Sequence, residues 1–363
     1  MLRTFERTPS PPPRIRHGNG ARAPLLIKAC PTLSTPYEPP SWATNPHVQI
    51  ALFMANGERD PVERWDRVER LIMPDGGTVS VSWHGLWDAP EDAPTLIVLP
   101  TLTGCAGEFR GIAQRLHGAL GWPVAICDRR GHGGLPLTAP AINTFGDTDD
   151  LRRQLDAIEA VRPGALLYAV GLSAGGGLLV RYLGEEGARA RIRAGVLHSP
   201  GYDIEEVFQR TARVYSRIMT RRLNAYFLRR HAHALRHLPG FDACAEARTL
   251  TEFHDRLYPL AGFRSREAYY AASNPMRVAH ATTVPLLMLN AEDDPVCHID
   301  VVEAHAPGLL AAVEDGILAV TTRGSHCGFY EGAQGRNSWA ERVMAEFLSA
   351  CAQQDRGGEA VAS

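Results

Sequence analysis

The sequence is short of lysine, of patterned cysteine and of long apolar runs. Of its 38 basic residues only Lys28 is a lysine, and 40 acidic residues bring the formal charge to −2. A balance so close to neutral excludes a general attraction to nucleic acid or to an anionic membrane, and no nucleic-acid partner is expected. Seven cysteines, an odd number without a C-x-x-C pair, argue against a disulfide scaffold or a structural zinc site. They fit a reducing compartment, and a cytoplasmic location is the expectation. No stretch approaches the roughly 20 apolar residues a transmembrane helix requires. What remains is a chain of 363 residues, 45% hydrophobic, long enough for one large α/β domain with an insertion or for two domains.

Residues 1–36 are rich in proline and arginine, lack hydrophobic periodicity and read as a disordered arm. Their shortage of acidic residues also suits organelle targeting. Val68 to Met73 and Thr78 to His84 alternate around Pro74-Asp75-Gly76-Gly77, which predicts a β-hairpin. Short apolar runs at Thr95–Pro100, Val124–Cys127, Ala165–Val170, Ala194–His198, Pro285–Asn290 and Ile317–Thr321 read as buried strands, separated by helical stretches. That alternation predicts an α/β fold with a mostly parallel central sheet and helices on both faces. Residues 37–200 and 284–352 form this core. Residues 201–283 break the rhythm as a helical cap inserted before the penultimate strands, rich in arginine, histidine and aromatics. Residues 353–363 read as a frayed tail.

The chemical signal lies in Gly171-Leu172-Ser173-Ala174-Gly175, between a strand and a helix. A strand turning directly into a helix holds the central serine in a strained conformation, and flanking residues without a Cβ fit where backbone crowds in. A serine hydroxyl is protonated at neutral pH, so Ser173 needs a base. Two later strand ends provide candidates in the order acid, then histidine: Asp293 and Asp294 in Ala291-Glu292-Asp293-Asp294-Pro295, and His326 in Gly324-Ser325-His326. Asp293 is preferred as the acid because it lies nearer the strand end, whereas Asp294 before Pro295 suits the start of a turn. Oxyanion donors are expected from the amide of Ala174, at the helix N-terminus, and of Leu102, in the loop after Leu99, with Thr101 next. His231, His233 and His237 lack a carboxylate or cysteine to complete a metal set, and neither a metal nor a cofactor is expected. Cys105, Cys297 and Cys327 read as packing residues.

The chain resembles the α/β-hydrolase family of type four, which includes embryogenesis-associated plant proteins, bacterial esterase-like proteins and animal phospholipid or monoacylglycerol hydrolases. The resemblance spans Pro39 to Ala350. It rests on Pro40-Ser41-Trp42 with Asn45, His47 and Gln49, on Leu102-Thr103-Gly104, Arg130-Gly131 and Gly133-Gly134, and on the Ser173 motif. Thr249-Leu250-Thr251-Glu252-Phe253, Asp293-Asp294-Pro295 and His326 with Gly328-Phe329 extend it. Thr101 and Ser325 stand where the family usually has glycine. The resemblance implies the α/β-hydrolase fold, a triad of Ser173, Asp293 and His326, and a small-molecule acyl ester or lipid substrate under the cap. The expected activity is hydrolysis of medium- or long-chain carboxylic esters through an acyl-enzyme. Acyl transfer to an alcohol, and ligand binding without catalysis, stay open as alternatives.

Overall fold

The computed structural model describes residues 10–59 and 65–362. In chain order the elements begin with β1 (Arg14–His17), α1 (Arg22–Lys28), α2 (Pro46–Arg59), β2 (Arg67–Ile72), β3 (Thr78–His84) and β4 (Thr95–Leu99). They continue through α3 (Arg110–Leu120), β5 (Val124–Asp128), α4 (Thr148–Val161), β6 (Leu167–Leu172), α5 (Ala174–Glu186) and β7 (Ile192–His198). Between β7 and the next strand run α6 (Ile204–Arg210), α7 (Arg213–Leu223), a π-helical turn (Asn224–Arg229), α8 (Ala232–Leu235), α9 (Phe241–Ala245), α10 (Leu250–Leu257) and α11 (Arg266–Ser273). The sheet resumes with β8 (Leu286–Ala291), α12 (Ile299–Ala312) and β9 (Gly316–Thr321), and the chain closes with the short pair β10 (Tyr330–Glu331) and β11 (Asn337–Ser338) and with α13 (Trp339–Ala362).

Nine strands form one sheet in the order β1-β9-β8-β7-β6-β4-β5-β3-β2. The run from β9 to β5 is parallel, while β1 and the β2–β3 hairpin pair antiparallel at the two edges. The central strands are apolar along most of their length because both faces are covered. Alternate residues feed two separate cores: Ile97, Leu99, Leu197 and Met288 on one face, Leu96, Val98, Val196 and Leu287 on the other. The first core is shared with α4, α5 and the inserted helices; α3 and α13 cover the second. Asp147 caps α4 by accepting from the Asp149 amide, and Asp203 caps α6 by accepting from the Glu206 amide.

Two expectations are corrected here. Residues 10–36 are not a disordered arm: β1 pairs with β9 from Arg14 opposite Val320 to His17 opposite Ile317, and Ala23 and Leu26 are fully buried in the second core. A four-residue strand between prolines is too short for its alternation to register, and its pairing is supported by Arg14 and Arg16 reaching Glu303 from outside. Residues 1–9 lie outside the described residues. Nor is the chain frayed from residue 353, because α13 continues past Ala350. Its Asp355 is buried, accepting from Arg22 at 2.9 Å and from the Tyr168 hydroxyl at 2.8 Å.

Candidate active site

Ser173 stands at the C-terminal end of β6, in the middle of the sheet, with φ +51° and ψ −114°. That conformation is costly for a residue with a Cβ. It is held by the Ser173 amide donating to the His198 carbonyl and by the Gly176 amide donating back to the Ser173 carbonyl, both at 2.9 Å. The flanking glycines are required sterically. A Cβ on Gly175 would lie 2.0 Å from the Leu99 carbonyl oxygen, and one on Gly171 would lie 2.6 Å from the Gly175 oxygen. Gly175→Ala is therefore expected to destabilise the fold by at least about 2 kcal/mol, because rigid backbone must move. The check is a lower urea midpoint with an unchanged denaturant slope.

His326 reaches Ser173 from the loop after β9. Its Nε2 lies 2.9 Å from Ser173 Oγ, and its Nδ1 lies 2.9 Å from a carboxylate oxygen of Asp294. The carboxylate at the imidazole is thus Asp294 and not Asp293, a correction to the sequence reading. The Asp294 side chain is fully buried, and its other oxygen accepts the amides of Val296 and Cys297 at 2.7 and 2.9 Å. The turn that made Asp294 look occupied is what orients it: one oxygen closes the turn and leaves the other for the histidine. Asp293 instead accepts the Ser325 amide at 2.7 Å, bracing the loop that carries His326. Burial, reinforced by the neighbouring Asp294 carboxylate, pushes the Asp293 carboxyl up to about 6. The His326 loop is itself strained, with Ser325, Cys327 and Phe329 at φ +59°, +59° and +57°. Ser325, where a glycine was the expected pattern, occupies the left-handed region that glycine favours. Thr101 is not among the described non-glycine residues with positive φ.

Leu102 and Ala174 line the same pocket as Ser173, and neither amide finds an acceptor among the described residues. The Leu102 peptide is fixed from behind. Buried Arg129 donates to the Thr101 carbonyl, and because a peptide unit is planar and trans, the Leu102 N–H points the opposite way. Burial lowers the Arg129 guanidinium to about 10, which still leaves it charged at neutral pH. Buried His132 adds a second hold, with Nε2 3.1 Å from the Leu102 carbonyl and Nδ1 3.0 Å from that of Arg130. A neutral imidazole donates to only one of these at a time, and burial, helped by Arg129, depresses its pKa to about 3. Sequence reasoning missed both residues.

The pocket beside Ser173 opens to solvent, spans about 520 Å³ with that open space included, and is lined mainly by Leu102, Phe145, Val207, Phe208, Met219 and Leu250. Of the cap's aromatics Phe208 lines it, whereas Tyr215, Tyr226, Phe227, Phe253, Tyr269 and Tyr270 do not; Phe227, Phe253 and Tyr269 are fully buried in the cap core. Of His231, His233 and His237, His231 is buried with Nε2 3.1 Å from the Gly131 carbonyl, a tie between cap and core. Among the described residues one grouping suits a metal ion geometrically: Asp294, Cys297 and His326 bring ligand atoms within 4.8 Å of one another. Both His326 nitrogens already face Ser173 and Asp294, and burial raises the Cys297 thiol well above its usual range. A protonated thiol is a poor metal ligand.

A serine on a strand-to-helix turn, a histidine and a carboxylate on later strand ends, and a helical insertion over the sheet edge define an α/β-hydrolase. Residues 91–331 match the Hydrolase_4 family, described as serine aminopeptidase, S33, and the chain belongs to that family. It is 27% identical over 354 residues to phospholipase ABHD3 of Mus musculus, covering 93% of this chain and 84% of that protein. It is 26% identical over 385 residues to monoacylglycerol lipase ABHD2 of Bos taurus, covering 96% and 88%. Among solved structures, a Pyrobaculum calidifontis esterase superposes with a TM-score of 0.53 at 17% identity, over 85% of this chain and 91% of that one, a likeness of fold.

Proposed function

We propose that this protein hydrolyses carboxylic esters of medium- or long-chain acyl groups, lipid esters included, through an acyl-enzyme on Ser173. The observation that carries this reading is the relay Ser173–His326–Asp294, with both links at 2.9 Å, opening onto an apolar pocket. His326 Nε2 takes the hydroxyl proton as Ser173 Oγ adds to the ester carbonyl, and Asp294 stabilises the imidazolium formed. The amides of Leu102 and Ala174 receive the developing oxyanion. As the tetrahedral intermediate collapses, the C–O bond to the alcohol breaks and His326 returns the proton to the departing oxygen. Water, deprotonated by His326, then releases the acid by the same steps in reverse.

The acyl chain lies against Val207, Phe208, Met219 and Leu250. The names of the mammalian relatives support a lipid ester as substrate. The test is labelling of the protein by a fluorophosphonate probe, with turnover of p-nitrophenyl esters of increasing chain length. Labelling, with kcat/KM rising beyond short acyl chains, is the expected result; an unlabelled protein removes the reading. Adding an alcohol acceptor to the same assay separates hydrolysis from acyl transfer by the ester formed.

Arg129 acts here as a positioning residue for the oxyanion loop. Arg129→Met is expected to lower kcat by about 10²-fold, comparable with the loss of one oxyanion donor, with KM little changed. A merely structural role would lower the melting temperature without this split between kcat and KM.

A further inference from the structure

We propose that the outer face of α7 and the chain that follows it is a docking surface for an anionic lipid bilayer, seated beside the substrate pocket. The net charge of the whole chain conceals a strong local imbalance. From Val207 to Phe241 there are eight arginines and no acidic residue. On α7, Arg213, Arg217 and Arg221 recur every four residues and form one exposed stripe. Val214 and Ile218, also four apart, form the adjacent stripe, and they are 66% and 53% exposed. Basic side chains beside solvent-facing aliphatic ones on one helix are the composition of a helix that lies in a membrane interface.

The rest of α7 is already committed. Tyr215 holds the core through its hydroxyl, 2.7 Å from His47 Nδ1, and Arg222 pairs with Glu108 at 2.8 Å. Met219 faces the pocket that contains Ser173, while Ser216, Thr220 and Leu223 are buried. Arg213, Arg217 and Arg221, by contrast, form no ion pair among the described residues. One helix therefore presents pocket wall on one side and a cationic, partly apolar face on the other. No described helix is long and apolar enough to cross a membrane, so this contact is peripheral. The use of the surface, delivery of a lipid ester to Ser173, rests on the ester-hydrolase reading; the binding itself does not.

The test is flotation of the full chain with vesicles of phosphatidylcholine alone or of phosphatidylcholine mixed with phosphatidylglycerol. Binding is expected to the mixed vesicles only and to fall as salt is raised. The triple variant Arg213→Gln, Arg217→Gln, Arg221→Gln is expected to partition about 100-fold less, at a factor of about five per charge. Val214→Ser with Ile218→Ser is expected to weaken binding further, and both variants should keep wild-type turnover of a soluble short-chain p-nitrophenyl ester. Equal binding to both vesicles, or unchanged binding by the triple variant, overturns the proposal. So does retention on polyglutamate without binding to vesicles, which would assign the face to an acidic protein. Vesicle binding without any turnover of the soluble ester would leave this surface standing and remove the hydrolase reading instead.

Discussion

Replacing Ser173 by alanine is expected to reduce ester turnover by about 10⁶-fold and to abolish fluorophosphonate labelling. The size follows from the chemistry: among the described residues no other hydroxyl or thiol is hydrogen-bonded to His326. Cys297 lies at the pocket wall, but burial keeps its thiol protonated. Cys327 follows His326 in sequence, yet it is buried too, with its thiol 3.6 Å from the His198 carbonyl. The substitution is also mild for the fold. The elbow is held by the Ser173 amide and carbonyl, which alanine retains, and the hydroxyl partner among the described residues is His326. A folded, inactive, unlabelled variant is the expected outcome. Labelling that survives would place the nucleophile elsewhere.

The second large effect separates the two adjacent aspartates. Asp294→Asn is expected to lower kcat by about 10⁴-fold. The amide oxygen of asparagine can still accept from Val296 and Cys297, so the turn survives. Its NH₂ group then faces His326 Nδ1, which must become an acceptor, and the ring proton moves to Nε2. There it points at Ser173 and the base is lost. Asp293→Asn keeps the acceptor for the Ser325 amide and is expected to change kcat less than about threefold, the reverse of the order the sequence suggests. Asp293 also bears on stability. With a folded-state pKa near 6 against an ordinary value of 3.8, Asp293 binds its proton more tightly in the native state. It therefore costs stability as pH rises from about 4 through 6. Relative to wild type, Asp293→Asn should gain on the order of 1–2 kcal/mol between pH 4 and pH 8. Urea midpoints at the two pH values check the sign.

Much of this site can be read in one dimension, and the reason is geometric. The strands of a parallel sheet all end on the same side, so functional loops fall at predictable points, directly after apolar runs. Ser173 follows β6, the aspartate pair follows β8, and His326 lies in the loop after β9. Gly171 and Gly175 announced the elbow because nothing larger fits beside the Leu99 and Gly175 backbone. The core strands were legible for a related reason: burial on both faces favours apolar residues along most of each strand.

The remaining decisions belong to tertiary structure. Asp293 and Asp294 are chemically identical neighbours, and only the direction in which the β8 loop turns decides which one meets His326. The support of the Thr101–Leu102 loop comes from Arg129 and His132, about 30 residues away in sequence, so no local pattern could announce it. Residues 10–36 looked unstructured because β1 is four residues long and gains its stability from β9, some 300 residues later. Composition, periodicity and turn chemistry determined the order of elements and singled out Ser173 and His326. Register, loop direction and burial decided which carboxylate, which amides and which face of the cap complete the site, since those depend on partners that meet only once the chain has folded.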